Sequence, residues 1–274
     1  SVAVYGHRPP PESVSEDALP QPGDMAYGVE KLKQEHRVRG FGRSHGLPFV
    51  ILRPPNVYGP FSHFTVNLIG KIRTGQMAIV DGGQNPSNLV YVDNLVEAIL
   101  LSLWKPAAAG ETFFVTDLEA VSWERCLNDH AALIGKTLPQ VSRASLVSKP
   151  RERLIWDSLQ SLRRVLFSEE LRREVRKIPL IKSLESAVNE KFQHLSTETR
   201  QRLRVSLTGP LSFPKNVIAP ANALAADDPL IAVQSRAVAH SSEKAKRLLG
   251  YSSPISYREG MALTGAWLRY SQLA

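Results

Sequence analysis

Tyr27 and Lys31 form the residue pair whose types and spacing best suit catalysis in this sequence. A separation of four places both side chains on one face of a helix, about one turn apart. A free tyrosine has a pKa near ~10, but an adjacent ammonium group stabilises the phenolate form. Such a tyrosine can exchange a proton with a substrate hydroxyl at neutral pH. Ser1 is the candidate hydroxyl that would hold the substrate oxygen beside the phenol.

The spacing has a second interpretation, a surface ion-pair helix with a half-buried tyrosine, and the pair taken alone would favour it. The neighbouring segments favour the catalytic interpretation. They are, in order, SVAVYG at 1–6, YGVEK at 27–31, LRPPNVYGP at 52–60, YVDNL at 91–95 and SEKAKRLLGY at 242–251. In this order and spacing they resemble the extended short-chain dehydrogenase/reductase family of NAD-dependent epimerases, dehydratases and 3β-hydroxysteroid dehydrogenases. The resemblance covers roughly residues 1–140 and 241–270.

The resemblance implies a role for each residue of the catalytic centre. Ser1 matches the catalytic serine at the end of a sheet strand. Tyr27 matches the acid/base group, and Lys31 matches the lysine that hydrogen-bonds the nicotinamide ribose and supports the phenolate. The implied reaction is hydride transfer between a carbinol carbon and NAD or NADP, while Tyr27 moves the hydroxyl proton. No metal site is predicted.

The resemblance also assigns a cofactor-binding loop. Residues 53–60 resemble the family loop that passes beside the nicotinamide ring. Pro54 and Pro55 would shape the wall, and Asn56 would face the cofactor or the substrate. With Tyr27 and Lys31, these three residues make up the predicted cofactor contacts.

The predicted substrate contacts are Asn56, Tyr58 and Asn67. Nucleotide-sugar enzymes of the family often carry a diphosphate-binding arginine just before the Tyr-Val-Asp segment, where Ser87 or Asn88 stands here. Loss of a bidentate phosphate ligand weakens the nucleotide-sugar interpretation. The sequence therefore favours a sterol-like or lipid-linked substrate. The alternatives are a nucleotide-sugar epimerase or dehydratase and a non-catalytic dinucleotide-binding regulator.

A glycine-rich phosphate loop between a strand and a helix is not found in the sequence. The run GFGRSHG at 40–46 closes a predicted helix and precedes a strand, so helix C-capping explains it. In the family the glycine-rich loop precedes the serine strand. We therefore expect an N-terminally truncated sequence that lacks most of the cofactor site and is inactive by itself.

Short apolar runs alternate with helical patterns over the first 140 residues, which is typical of a doubly wound sheet. Strands are predicted at 49–52, 78–80, 89–92 and 112–115 and a strand end at 1–6, helices at 26–43, 66–74, 94–104 and 123–134, and a three-proline loop at 53–60. The predicted fold class is α/β. It comprises the C-terminal part of a Rossmann-like doubly wound parallel sheet and a small substrate-binding lobe with a helical insertion.

Four regions are predicted. They are the C-terminal part of the NAD(P)-binding domain with an interleaved substrate lobe (1–150), a basic amphipathic helical insertion (151–210), a linker or loop (211–240) and the C-terminal helices of the substrate lobe (241–274).

The net charge of +8 is concentrated at 151–204, which contains 13 Lys/Arg and 8 Asp/Glu. Because zinc spacings and RNA-binding patterns are missing, the expected partner is a small molecule and not a nucleic acid. Residues 151–207 are interpreted as a solvated insertion or as a surface that contacts anionic lipid.

Cys126 is the single cysteine, which excludes an internal disulfide and favours a reducing compartment. It stands in a helix-like stretch without an evident histidine partner and is interpreted as a buried structural thiol. We expect a cytoplasmic protein, with peripheral membrane contact through 151–207 as an alternative. A homodimer through the helices that carry Tyr27 and Val66 is also predicted.

Overall fold

Short parallel strands form the framework of the fold. The computed structural model describes residues 1–146, 224, 226 and 228–273. Within them the strands are β1 (Ile51–Arg53), β2 (Asn56–Tyr58), β3 (Ile79–Val80), β4 (Leu89–Tyr91), β5 (Thr112–Phe114) and β6 (Gln140–Val141). β1 pairs with β5, β2 with β4 and β3 with β6, each in parallel. The predicted α/β class is confirmed.

Helices alternate with these strands and cover them. They are α1 (Ala26–His45), α2 (His63–Arg73), α3 (Val92–Trp104), α4 (Trp123–Ala132), α5 (Pro229–Ala232), α6 (Glu243–Leu249) and α7 (Tyr257–Tyr270). Ser122 caps α4 as predicted, because its side chain accepts a hydrogen bond from the Arg125 amide. Gly46 ends α1 in the left-handed conformation that glycine tolerates best, which confirms the capping interpretation of residues 40–46.

Several predicted regions are not tested by the structure. The insertion at 151–210 and residues 211–223 of the predicted linker lie outside the described residues. Residues 229–235 of that linker form α5 and a 3₁₀ turn. The four-region division therefore stays a prediction. Among the described residues, the helices are all too short or too polar to cross a membrane.

The segment at residues 1–6 is not the predicted strand end. Val2–Tyr5 form a 3₁₀ helix. Its first turn is closed by the Ser1 hydroxyl, which accepts a hydrogen bond from the Ala3 amide at 3.3 Å. The β-branched residues suggested a strand, but this local side-chain capping outweighs their propensity.

The prediction that residues 53–60 form an unpaired loop is also wrong. Asn56–Tyr58 make the strand β2, in register with Leu89–Tyr91. Proline disrupts a sheet because it lacks an amide hydrogen. Pro54, Pro55 and Pro60 all lie outside the paired residues, so the three-residue strand fits between them.

The structure corrects one statement about Cys126. His130 lies one turn further along α4, and its Nδ1 is 3.8 Å from the Cys126 Sγ and 2.7 Å from the Cys126 carbonyl oxygen. Both side chains are fully buried, and burial raises the pKa of the Cys126 thiol. The thiol therefore stays protonated, in agreement with a structural role.

Burial of His130 predicts a loss of stability in mild acid. Desolvation lowers the pKa of His130, whereas an unfolded histidine titrates near ~6.5. Below about pH 6.5 the His130 side chain binds a proton in the unfolded chain, whereas it stays neutral in the folded chain. The free energy of unfolding should therefore fall with decreasing pH, by up to about 1.4 kcal/mol per pH unit from this group.

Urea unfolding of the full-length protein between about pH 7 and pH 5 measures this effect. His130→Phe should flatten the pH dependence, whereas the exposed His36→Gln should leave it as in the wild type. A His130→Phe protein with the wild-type pH dependence would show that His130 is not the group responsible.

Candidate active site

A cavity of about 810 Å³ gathers four of the predicted site residues, Ser1, Tyr27, Pro55 and Asn56. Most of its other lining residues are apolar: Val2, Ala3, Met25, Val57, Pro60, Phe61, Phe64, Val92, Pro229, Leu230 and Val233. His7, Ser62, His63 and Arg236 complete the lining. The cavity therefore combines a small polar group of residues with an extensive apolar wall.

Tyr27 and Lys31 are placed as the four-residue spacing predicts. Both lie in the first half of α1, and the Lys31 ammonium is 5.4 Å from the centroid of the Tyr27 ring. Tyr27 is 59% exposed and lines the cavity, whereas Lys31 is not among the lining residues. The Lys31 Nζ donates a hydrogen bond to the Gln34 Oε1 at 3.1 Å. The phenol is therefore accessible to a ligand, with a positive charge one turn away.

A backbone hydrogen bond joins the Ser1 segment to the proline loop. The Val2 amide donates to the Pro54 carbonyl at 3.3 Å, which holds the Ser1 segment beside the start of β2. Pro54 is not among the cavity-lining residues, although Pro55 is. Asn56 lines the cavity, and its Nδ2 donates to the Ser87 carbonyl at 3.0 Å.

Two predicted substrate contacts lie away from this cavity. Tyr58 is fully buried and packs against the rings of Tyr91 and Tyr257. Asn67 is exposed on α2. Neither residue lines the cavity with Tyr27.

The residues considered for diphosphate binding have structural partners. The Ser87 hydroxyl donates to the Val121 carbonyl at 2.7 Å. The Asn88 side chain donates to the Val238 carbonyl at 2.9 Å and accepts from the His240 amide at 3.0 Å. Both side chains therefore support neighbouring backbone.

A buried ion pair that the sequence analysis missed ties the site segments together. The Arg53 guanidinium donates to both Glu35 carboxylate oxygens, at 3.0 and 2.7 Å, and to the Tyr5 hydroxyl at 2.6 Å. Arg53 and Glu35 are 3% and 7% exposed. Tyr5 lies in the 3₁₀ helix that follows Ser1, Glu35 lies on the helix of Tyr27, and Arg53 is the first residue of the proline loop. One feature of the sequence could have revealed this ion pair. An arginine stands directly after the buried apolar run 49–52, and a buried charge requires a partner.

Gly28 allows α1 to approach the Ser1 segment closely. A Cβ at this position would lie 2.2 Å from the Ala3 carbonyl oxygen. Gly28→Ala should force the helix away and lower the free energy of unfolding by about 1–3 kcal/mol. The same change at Gly40, on the same helix but with open space around it, should raise stability by up to about 1 kcal/mol. Urea unfolding of the two variants tests the contact, and equal stabilisation by both would contradict it.

Comparison with known proteins identifies the segment that supplies most of the lining of this cavity. A family model described as "NAD dependent epimerase/dehydratase family" matches residues 1–115. Residues 1–115 belong to this family. The family segment includes Ser1, Tyr27, Lys31 and the whole proline loop.

Two curated relatives show the range of proteins that resemble the chain. The UDP-glucose 4-epimerase of Vibrio cholerae is 28% identical over 112 residues, which are 40% of this chain and 34% of the relative. The 2-alkyl-3-oxoalkanoate reductase of Stenotrophomonas maltophilia is 28% identical over 142 residues, 49% of this chain and 42% of the relative. The chain thus spans less than half the length of either relative.

A solved structure supports the fold of the described residues. The UDP-glucuronic acid 4-epimerase of Bacillus cereus, in complex with UDP-glucuronic acid and NAD, matches with a TM-score of 0.53 and 18% identity. The match covers 98% of this chain and 59% of the epimerase. The fold is therefore the Rossmann-like one that the family segment implies.

Proposed function

We propose that the complete protein is an NAD-dependent oxidoreductase or epimerase that acts on a carbinol carbon. The observation that carries the proposal is the single cavity that holds Ser1, Tyr27 and Asn56, with the Lys31 ammonium 5.4 Å from the Tyr27 ring. The match of residues 1–115 to an NAD-dependent family adds support. A dinucleotide-binding regulator would not require an accessible tyrosine–lysine pair.

The described residues suit one end of a nicotinamide cofactor. Among them Lys31 has no carboxylate partner, so its ammonium has donors available for a ribose hydroxyl. Pro55 and Val57 give the cavity an apolar wall on the side of the proline loop. When bound, NAD would supply the hydride acceptor. NAD is proposed over NADP because the matching family is described as NAD dependent.

The chain's own residues would move the proton. Ser1 would hydrogen-bond the substrate oxygen, and Tyr27 would accept its hydroxyl proton as the carbon is oxidised. The Lys31 charge would stabilise the phenolate that accepts it. Reprotonation by Tyr27 would complete the reverse step in an epimerase. The apolar wall would exclude water from the reacting carbon.

Nucleotide-sugars are the substrate class that the comparisons favour, because the Vibrio cholerae relative is named as a UDP-glucose epimerase and the Bacillus cereus structure holds a UDP-sugar. A sterol-like or lipid-linked substrate is the second candidate. It is supported by the apolar cavity lining and by the similarity to a 2-alkyl-3-oxoalkanoate reductase. Peripheral membrane contact through 151–207 and a homodimer through α1 and α2 stay predictions.

A substrate screen on the full-length protein tests the proposal. UDP-glucose, UDP-glucuronic acid and dTDP-glucose should be incubated with NAD and their products separated by chromatography, in parallel with a 3β-hydroxysteroid and a 3-hydroxyalkanoate. Net NADH would indicate a dehydrogenase. Sugar conversion without net NADH would indicate an epimerase if the product is an isomer of the substrate, and a dehydratase if the product has lost water. A protein that binds NAD but converts none of these substrates would favour the regulator.

A further inference from the structure

Arg236 lines the same cavity as Tyr27, and the structure describes no partner for its side chain. Its Nε is buried and has no hydrogen-bond partner among the described residues. Aspartate and glutamate are absent from the described lining of the cavity. Arg53, Lys71 and Arg125, by contrast, each pair with a carboxylate. The sequence analysis did not single out Arg236.

The backbone on both sides of Arg236 is held in place. The buried Gln234 accepts a hydrogen bond from the Val80 amide at 2.9 Å and donates to the Ala78 carbonyl at 3.0 Å. Asn85 donates to the Gln234 carbonyl at 2.9 Å. Two residues after Arg236, Val238 accepts the hydrogen bond from Asn88. The guanidinium therefore reaches the cavity from an anchored segment.

An arginine in this position is unfavourable unless something binds it. Burial lowers the pKa of the Arg236 guanidinium, and nothing among the described residues compensates. Arginine nevertheless keeps its charge in proteins, because its intrinsic pKa lies far above neutrality. Arg236 is partly buried, and a charge withdrawn from water without a partner is costly to the folded state. The planar guanidinium has donor geometry that matches phosphate and carboxylate oxygens.

We propose that Arg236 binds an anionic oxygen group of the substrate, a phosphate ester or a carboxylate, in the cavity that holds Tyr27. The inference rests on the proposed function and narrows it, because a neutral sterol would leave the guanidinium unpaired. The apolar wall would contact the uncharged body of the substrate, and Arg236 would select molecules that carry the anionic group.

Calorimetric titration of the NAD-saturated full-length protein tests this assignment. The probes are UDP and D-glucuronate, each compared with its neutral counterpart, uridine or D-glucose. The wild type should bind at least one anion more tightly than its counterpart, and the identity of that anion distinguishes phosphate from carboxylate. Arg236→Met should weaken that binding by about 10- to 100-fold. Arg236→Lys should weaken it less.

Two controls separate a binding defect from misfolding. Arg258→Met removes an exposed arginine on α7 that does not line the cavity, and should bind the anion as the wild type does. Arg236→Met without ligand should melt at the wild-type temperature or above it, because it removes an unpaired charge. Equal anion binding by the wild type and Arg236→Met would overturn the assignment, as would a wild type that binds both anions no better than their neutral counterparts.

Failure of this inference is distinguishable from failure of the proposed function. If the wild type converts a neutral substrate with NAD and Arg236→Met retains its kcat/KM, the anion site is wrong and the function stands. If no substrate is converted but the anion titrations depend on Arg236, the site stands and the catalytic function is wrong.

Discussion

Replacing Tyr27 by phenylalanine in the full-length protein should lower kcat by about 10²- to 10⁴-fold, the usual contribution of a positioned acid–base group. The variant lacks only the phenol oxygen, so the α1 helix and the apolar wall of the cavity remain. NAD binding should therefore be nearly unchanged. Steady-state turnover on a substrate found in the screen, together with an NAD titration, measures both quantities.

Tyr270→Phe is the matched control for this substitution. Tyr270 is 89% exposed at the end of α7 and does not line the cavity. It loses the same hydroxyl and should keep wild-type kcat. If Tyr27→Phe also keeps wild-type kcat, Tyr27 is not the acid–base group and the catalytic proposal for this cavity fails.

The second large effect concerns stability. Glu35→Gln should lower the free energy of unfolding by about 3–5 kcal/mol, because it leaves the buried Arg53 without its counter-charge. Arg53→Met should be comparably destabilising, since it isolates the Glu35 carboxylate. The double variant Glu35→Leu/Arg53→Met removes both charges and should recover much of the loss. Chemical denaturation of these proteins compares the losses, and the single variant Glu35→Leu completes the double-mutant cycle that measures the coupling between the two side chains.

An exposed pair on the same helix provides the control. Lys33 and Glu30 form an ion pair at 3.3 Å with both side chains more than half exposed. Glu30→Gln should change stability by less than about 1 kcal/mol. If Glu35→Gln is no more destabilising than Glu30→Gln, the Arg53 interaction does not hold the segments together.

The sequence predicted the elements that depend on local pattern. The helix that carries Tyr27 and Lys31 was predicted from periodicity and its glycine cap, and the buried strands from short apolar runs. The strand predicted at residues 1–6 is wrong because the Ser1 hydroxyl caps a 3₁₀ turn there. β2 was missed because its partner, Leu89–Tyr91, lies more than thirty residues away and local propensity does not reveal it.

The site was predictable only in part for the same reason. Ser1, Tyr27 and Asn56 belong to segments with recognisable motifs, and the cavity brings them together. Arg236 comes from a stretch without a motif, more than two hundred residues from Tyr27 in sequence. The Arg53–Glu35 pair joins two elements whose contact depends on the tertiary fold. Pairing between distant segments leaves little trace in residue spacing.

The anchoring of Arg236 bears on how substrate preference can diverge in evolution. Gln234 and Asn88 hold the segment from 234 to 238, whereas the Arg53 network holds the segments of Ser1 and Tyr27. The two sets of hydrogen bonds share no residue. Arg236 can therefore be replaced without disturbing the Tyr27–Lys31 pair. On the proposed assignments, the residue that selects the substrate and the residues that transform it belong to separate hydrogen-bond networks, so a single change at Arg236 should alter specificity without loss of the catalytic pair.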